Sequence, residues 1–158
     1  MTTADRTRTR LPVFERPFDE LERGEALDSV TRRVTAGDVL EFAELTGDRH
    51  PVHVDPEWAA GSRFGRQIAH GMLVLSMAFG AFPFDGRWVV ALRRVRDVTF
   101  KRPVAAGTEI LVEAAVDALA PVDSGTGLVT FRLTVRDEDG RTCVRGLIDV
   151  VWRRGAAA

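Results

Sequence analysis

Residues 71–84 constrain this chain most, because Met72, Leu73, Val74, Leu75, Met77, Ala78, Phe79, Ala81 and Phe82 give the run an apolar surface on every side. A helix of that kind has to be enclosed by protein rather than laid along a surface. Everything after it reads as strands. Residues 88–100, 108–119, 128–137 and 141–152 are rich in Val, Ile, Thr and Phe, with partial alternation. Asp139-Gly140 between the last two is a hairpin signal, and Gly107 and the Gly125, Gly127 pair punctuate the others. An antiparallel sheet wrapped around a buried central helix accommodates this order, which predicts an α+β fold.

Capping chemistry organises the chain before that run. Residues 12–27 read as irregular, and residues 28–34 alternate like a first strand. Thr35 and Asp38 have the spacing of a capping box, with aspartate in place of the usual glutamate. Val39, Leu40, Phe42, Ala43 and Leu45 then supply the apolar face of a short helix, and Gly47 suits its end. Asp55 followed by Pro56 marks a second, brief helix, an N-cap with proline at the first helical position. Pro51 is expected to break any helix between the two.

At 158 residues the chain is long enough to bury a core in one domain. Residues 1–11 read as a mobile polar tail and residues 12–158 as that domain. The net charge of −1 supplies no global field for nucleic acid or an anionic membrane, so neither is an expected partner. No apolar stretch reaches the roughly 18 residues that span a bilayer, and no apolar segment follows the basic N-terminus as in a secretory signal. The cytoplasm is therefore the expected location. Cys143 is the only cysteine, which excludes an internal disulfide and a cysteine metal cage; in a strand-like run it reads as structural.

The chemistry is concentrated in one window. All three histidines, His50, His53 and His70, lie within it, and histidine titrates nearest neutrality. Asp48 follows a helix end and His53 precedes a helix start, with Pro51 and Pro56 restricting the backbone on either side of the histidine. Both side chains can then be held towards one cavity, with Asp48 orienting a water or tuning the imidazole and His53 transferring a proton. His50, Asp55 and His70 add potential metal ligands, but their spacing does not match a helical zinc pair, and no metal is expected. Gly71 opens the apolar helix, where free backbone N–H groups and the positive end of the dipole suit an oxyanion hole for a thioester or ester carbonyl.

The stretch Thr46-Gly47-Asp48-x-x-Pro51-x-His53-x-Asp55, followed by Phe64, Ile68 and Ala69-His70-Gly71-Met72, resembles the hydratase signature of the MaoC-like, R-specific enoyl-CoA hydratases. Residues 98–104 and Gly107-Thr108 are similar to that family's strand after the central helix. The resemblance implies a hot-dog fold, a homodimer, and reversible hydration of a 2-enoyl thioester on coenzyme A or acyl carrier protein without any cofactor. It places the catalytic pair on Asp48 and His53 and the carbonyl-binding N–H on Gly71. Apart from that resemblance, His50, His70 and Met72 are further substrate-binding candidates, His70 reading first as structural. The family commonly has asparagine directly before the motif proline, where this chain has His50. Two rivals remain in view: a hot-dog acyl-CoA thioesterase and a non-catalytic acyl-thioester-binding subunit. Such thioesterases typically use a carboxylate on or near the central helix, and residues 71–84 contain no Asp or Glu. Phe79, Phe82 and Phe84 are aromatic enough to shape an acyl pocket but read more simply as core.

Overall fold

The computed structural model describes residues 11–155, so the expected N-terminal tail, apart from Leu11, lies outside the described residues. Two single turns of 3-10 helix, Val13–Glu15 and Phe18–Glu20, lead to strand β1 (Val30–Arg33) and then to α1 (Ala36–Thr46), α2 (Pro51–Val54), α3 (Pro56–Ala60) and α4 (Gly71–Phe79). Four long strands follow: β2 (Val89–Phe100), β3 (Glu109–Pro121), β4 (Thr126–Arg136) and β5 (Thr142–Arg153). They form one antiparallel sheet in the order β1-β3-β4-β5-β2. The last hairpin turns at Asp139-Gly140, where Gly140 takes φ 74°, a left-handed value that glycine adopts without strain.

Alternation along the strands directs one face of the sheet inward. Ile110, Val112 and Val116 on β3, Val129, Leu133 and Val135 on β4, and Val144, Ile148, Val150 and Trp152 on β5 are buried in one cluster with Leu73, Val74, Leu75 and Ala78 of α4. Each Val, Leu or Ile among them contributes about 1.5–3 kcal/mol when fully buried. This sheet around a central helix is the hot-dog fold expected from the resemblance. Trp152 also donates its indole N–H to the Arg16 carbonyl at 2.9 Å, so the sheet anchors the irregular N-terminal segment.

Four local expectations are corrected. The central helix stops at Phe79 instead of Phe84: Gly80 makes the last i→i−4 bond, to the Ser76 carbonyl at 2.9 Å, and Ala81 and Phe82 then tighten into i→i−3 turns on Ala78 and Phe79. Nor is it enclosed on every side: Met72 is 56% exposed, and Ser76, one turn along, is exposed too. In α1 the capping box is present, but only Val39 and Ala43 are buried, while Leu40 and Leu45 are exposed. A helical period of 3.6 residues puts Val39 and Ala43 in line, and Leu40 and Leu45 fall off that line. Pro51 begins a helical turn rather than breaking one, because at the first position its missing N–H costs nothing.

Strand β2 forms one edge of the sheet and is mostly exposed, with register shifts against β5 and Asp97 at φ 53°. Asp149 on β5 ties this edge down. Its fully buried carboxylate accepts from Arg94 Nε at 2.8 Å, Arg96 Nε at 3.2 Å and Thr130 Oγ1 at 2.7 Å.

Candidate active site

Gly47 caps α1 at φ 79° and its N–H returns to the Ala43 carbonyl, which turns the chain sharply into Asp48. The next turn is braced from within. Asp48 N–H donates to Thr46 Oγ1 at 3.3 Å, and the Asp48 carboxylate accepts from the His50 N–H at 3.3 Å. His50 then caps α2, its Nδ1 accepting from the Val52 N–H at 3.2 Å, while its ring meets Trp58 edge-on. An asparagine in that place would cap with its side-chain oxygen, so His50 performs the same local task.

His53 lies on α2 and is oriented by a segment distant in sequence. Its Nδ1 is 2.8 Å from the Ile68 carbonyl. A carbonyl only accepts, so Nδ1 carries the proton and Nε2 keeps its lone pair. Ile68 is held in turn by a bridge to Ala105 and by its own N–H on the Val52 carbonyl at 3.3 Å. Gln67 donates its side-chain amide to the His53 carbonyl, fixing the backbone as well as the ring. Burial holds the His53 imidazole below its ordinary pKa of 6.5; the Ile68 bond opposes this, and the neighbouring His70 adds to it. The ring is thus kept as a free base at neutral pH.

His70 is buried and acts as a backing plate. Its ring stacks on His53 with centroids 3.8 Å apart, and its Nε2 donates to the Asp48 backbone carbonyl at 2.9 Å. One side chain therefore fixes both the backbone of Asp48 and the face of His53. Polar atoms of Asp48, His53 and His70 lie within 4.8 Å of one another. A water bonded to both Asp48 and His53 at roughly 2.8 Å fits such a separation. The same three residues could also offer ligand atoms to a cation, since each ring keeps its second nitrogen after bonding a carbonyl with the first.

His53 and Gly71 line one cleft of about 400 Å³, together with Ala69, Val74, Phe100 and Val104. Gly71 is the first residue of α4, so its N–H has no partner within the helix, and no side chain caps that end. A Cβ at this position would lie 2.8 Å from the Phe100 ring, so any larger residue would have to displace that ring. Met72 projects to the surface, while His50, exposed like Asp48, keeps its ring 6.1 Å from that of His53. The sequence reading missed the Ile68 carbonyl, Gln67 and Phe100. A backbone carbonyl leaves no trace in side-chain chemistry, and Phe100 arrives from the far end of β2.

Residues 20–138 match the family model described as MaoC like domain. The chain is 36% identical over 104 residues to protein MaoC of Klebsiella aerogenes, covering 65% of this chain but 31% of that protein. To the (R)-specific enoyl-CoA hydratase of Aeromonas caviae it is 37% identical over 92 residues, covering 57% of this chain and 67% of that one. Among solved structures, a monoamine oxidase regulatory protein from Archaeoglobus fulgidus superposes with a TM-score of 0.83 at 35% identity, covering 88% of this chain and 95% of the other.

Proposed function

The chain belongs to the MaoC-like domain family, and from that membership and its site we propose that it is a hydro-lyase acting on 2-enoyl thioesters. The reaction is R-specific hydration of a trans-2-enoyl thioester, or dehydration of the 3-hydroxyacyl thioester in reverse. The observation that carries this reading is the pairing of Asp48 with a His53 whose Nδ1 is tied to the Ile68 carbonyl, leaving Nε2 free as a base. Relatives named (R)-specific enoyl-CoA hydratase and 3-hydroxybutyryl-CoA dehydratase support it.

In this mechanism Asp48 and His53 hold one water between them. Its oxygen bonds to the β-carbon as the carbon–carbon π electrons move towards the thioester carbonyl. The water's proton passes to the pair, and a proton is returned to the α-carbon through His53. Negative charge gathers on the thioester oxygen, where the Gly71 N–H and the positive end of α4 stabilise it, an effect worth roughly 10²–10³ in rate for a single donor. The thioester itself acidifies the α-carbon, so the chemistry calls for no metal or redox cofactor.

The working unit in this proposal is a homodimer. Val90, Leu92, Val95 and Phe100 are exposed on edge strand β2 and Met72 on α4, an apolar surface with open strand edge that a second copy can cover. A short enoyl-CoA tests the activity directly. Hydration removes the conjugated enoyl absorbance, thioester hydrolysis releases free thiol, and a binding subunit does neither. Loss of absorbance without thiol release is the expected result; thiol release, or no reaction with any enoyl thioester, overturns the reading.

A further inference from the structure

The catalytic cleft continues into a second one of about 280 Å³, the two sharing Arg63, Phe64, Ile68, Arg102 and Pro103 on their walls. One end holds His53 and Gly71; the other opens among cations. Arg63 and Arg66 come from the loop between α3 and α4, which Gly65 turns at φ 67°. Lys101 and Arg102 follow the end of β2, both backbone N–H groups bonded to the Cys143 carbonyl. None of these four cations has a carboxylate partner among the described residues. Asp137 is the one acid on the walls of the two clefts, and it is already bonded to Arg141. A chain with a net charge of −1 thus gathers uncompensated positive charge at the mouth of its site.

An aromatic face stands within that charge. Phe64 is 38% exposed, with the Arg63 guanidinium 5.7 Å from its ring centroid. Cations around an exposed ring suit a ligand that carries several phosphates and a flat base. We propose that Arg63, Arg66, Lys101 and Arg102 around Phe64 form the docking site for the adenosine bisphosphate end of coenzyme A, making the substrate a coenzyme A thioester in preference to a carrier-protein thioester. The prosthetic arm of a carrier protein has a single phosphodiester and no base, so it would leave most of this charge and the Phe64 face unused. The inference rests on the hydratase reading for what enters the deep end of the cleft, but not for what binds at its mouth.

Two measurements on the parent and on an Arg63→Gln, Arg66→Gln variant test it. Calorimetric titration with adenosine 3′,5′-bisphosphate should show salt-sensitive binding to the parent, weakened about tenfold or more in the variant. In turnover, the substitutions should raise KM for an enoyl-CoA about tenfold more than for the same acyl group on pantetheine, with kcat little affected, because binding remote from the reaction is uniform. No binding of the bisphosphate to the parent overturns the proposal. So does an equal loss on both thioesters, or, when the same acyl group is assayed on a carrier protein alongside them, a parent that prefers the carrier-protein thioester. Bisphosphate binding that depends on the two arginines, in a parent that hydrates no thioester, would uphold this site while removing the hydratase reading.

Discussion

Residue 50 shows how one side chain can be exchanged while its task is kept. His50 caps α2 through Nδ1, as an asparagine oxygen would, and its backbone N–H braces Asp48. His50→Asn is therefore expected to retain activity within about threefold of the parent, because equivalent caps differ by only a few tenths of a kcal/mol; a loss of a hundredfold would mean that the imidazole itself meets substrate. Three positions along, burial keeps the His53 pKa below 6.5. Acid protonates the base, so kcat/KM should fall as pH drops through that lowered value, with an acidic limb below about 6.5 in a pH–rate profile. A limb at or above that value would mean that His53 is not the titrating group. That Asp48 and His53 come together could be read from the sequence because prolines and capping residues surround them. The partner that sets the His53 tautomer could not, since it is a main-chain oxygen fifteen residues away.

Helices and strands were read from their periodicity, and the departures have local causes. Four strand-like runs became β2 to β5, and the Thr35 capping box started α1 as expected. The central helix was read five residues too long because Ala81, Phe82 and Phe84 are apolar; they pack after Gly80 has ended the helix. What the pattern of apolar residues did not disclose is the tether on edge strand β2, because its key residue is a buried carboxylate, Asp149, among Val and Ile. Burial raises the Asp149 pKa, but bonds from Arg96, Thr130 and Arg94 outweigh it and hold the group below the usual carboxylate range. Its stabilising contribution is thus present above the unfolded pKa of about 3.9 and lost as pH falls through the lower folded value. Asp149→Ala should cost roughly 1.5–3 kcal/mol in urea unfolding at neutral pH, with the gap from the parent narrowing in acid. Equal stability at neutral pH would show that β2 is held by its backbone ladder alone.

For the whole molecule, the order of elements was enough to deduce a sheet around a helix, because a helix with so little polar surface has few other ways to be covered. The order did not disclose which face of that helix stays open. Met72 and Ser76 stand on it, and apolar side chains project from the β2 edge. Light scattering at micromolar concentration is expected to give the mass of two chains, each of 17.4 kDa. A stable monomer would contradict the dimer and leave that surface unexplained. Replacing Leu92 and Val95 together by lysine should shift the equilibrium towards monomer, since like charges on an exposed strand edge oppose pairing.

In the proposed mechanism Asp48 and His53 act as one device on a shared water. That coupling is read from kcat/KM for enoyl-CoA hydration in the parent, in Asp48→Asn, in His53→Ala and in the double variant, with folding checked by circular dichroism. Each single substitution should cost at least the roughly 10²–10⁴ typical of a general acid–base group. The double variant should be little worse than the poorer single, because two groups that hold one water fail together. Parent-like hydration by both folded single variants would contradict the assignment, and so would losses that simply multiply in the double variant.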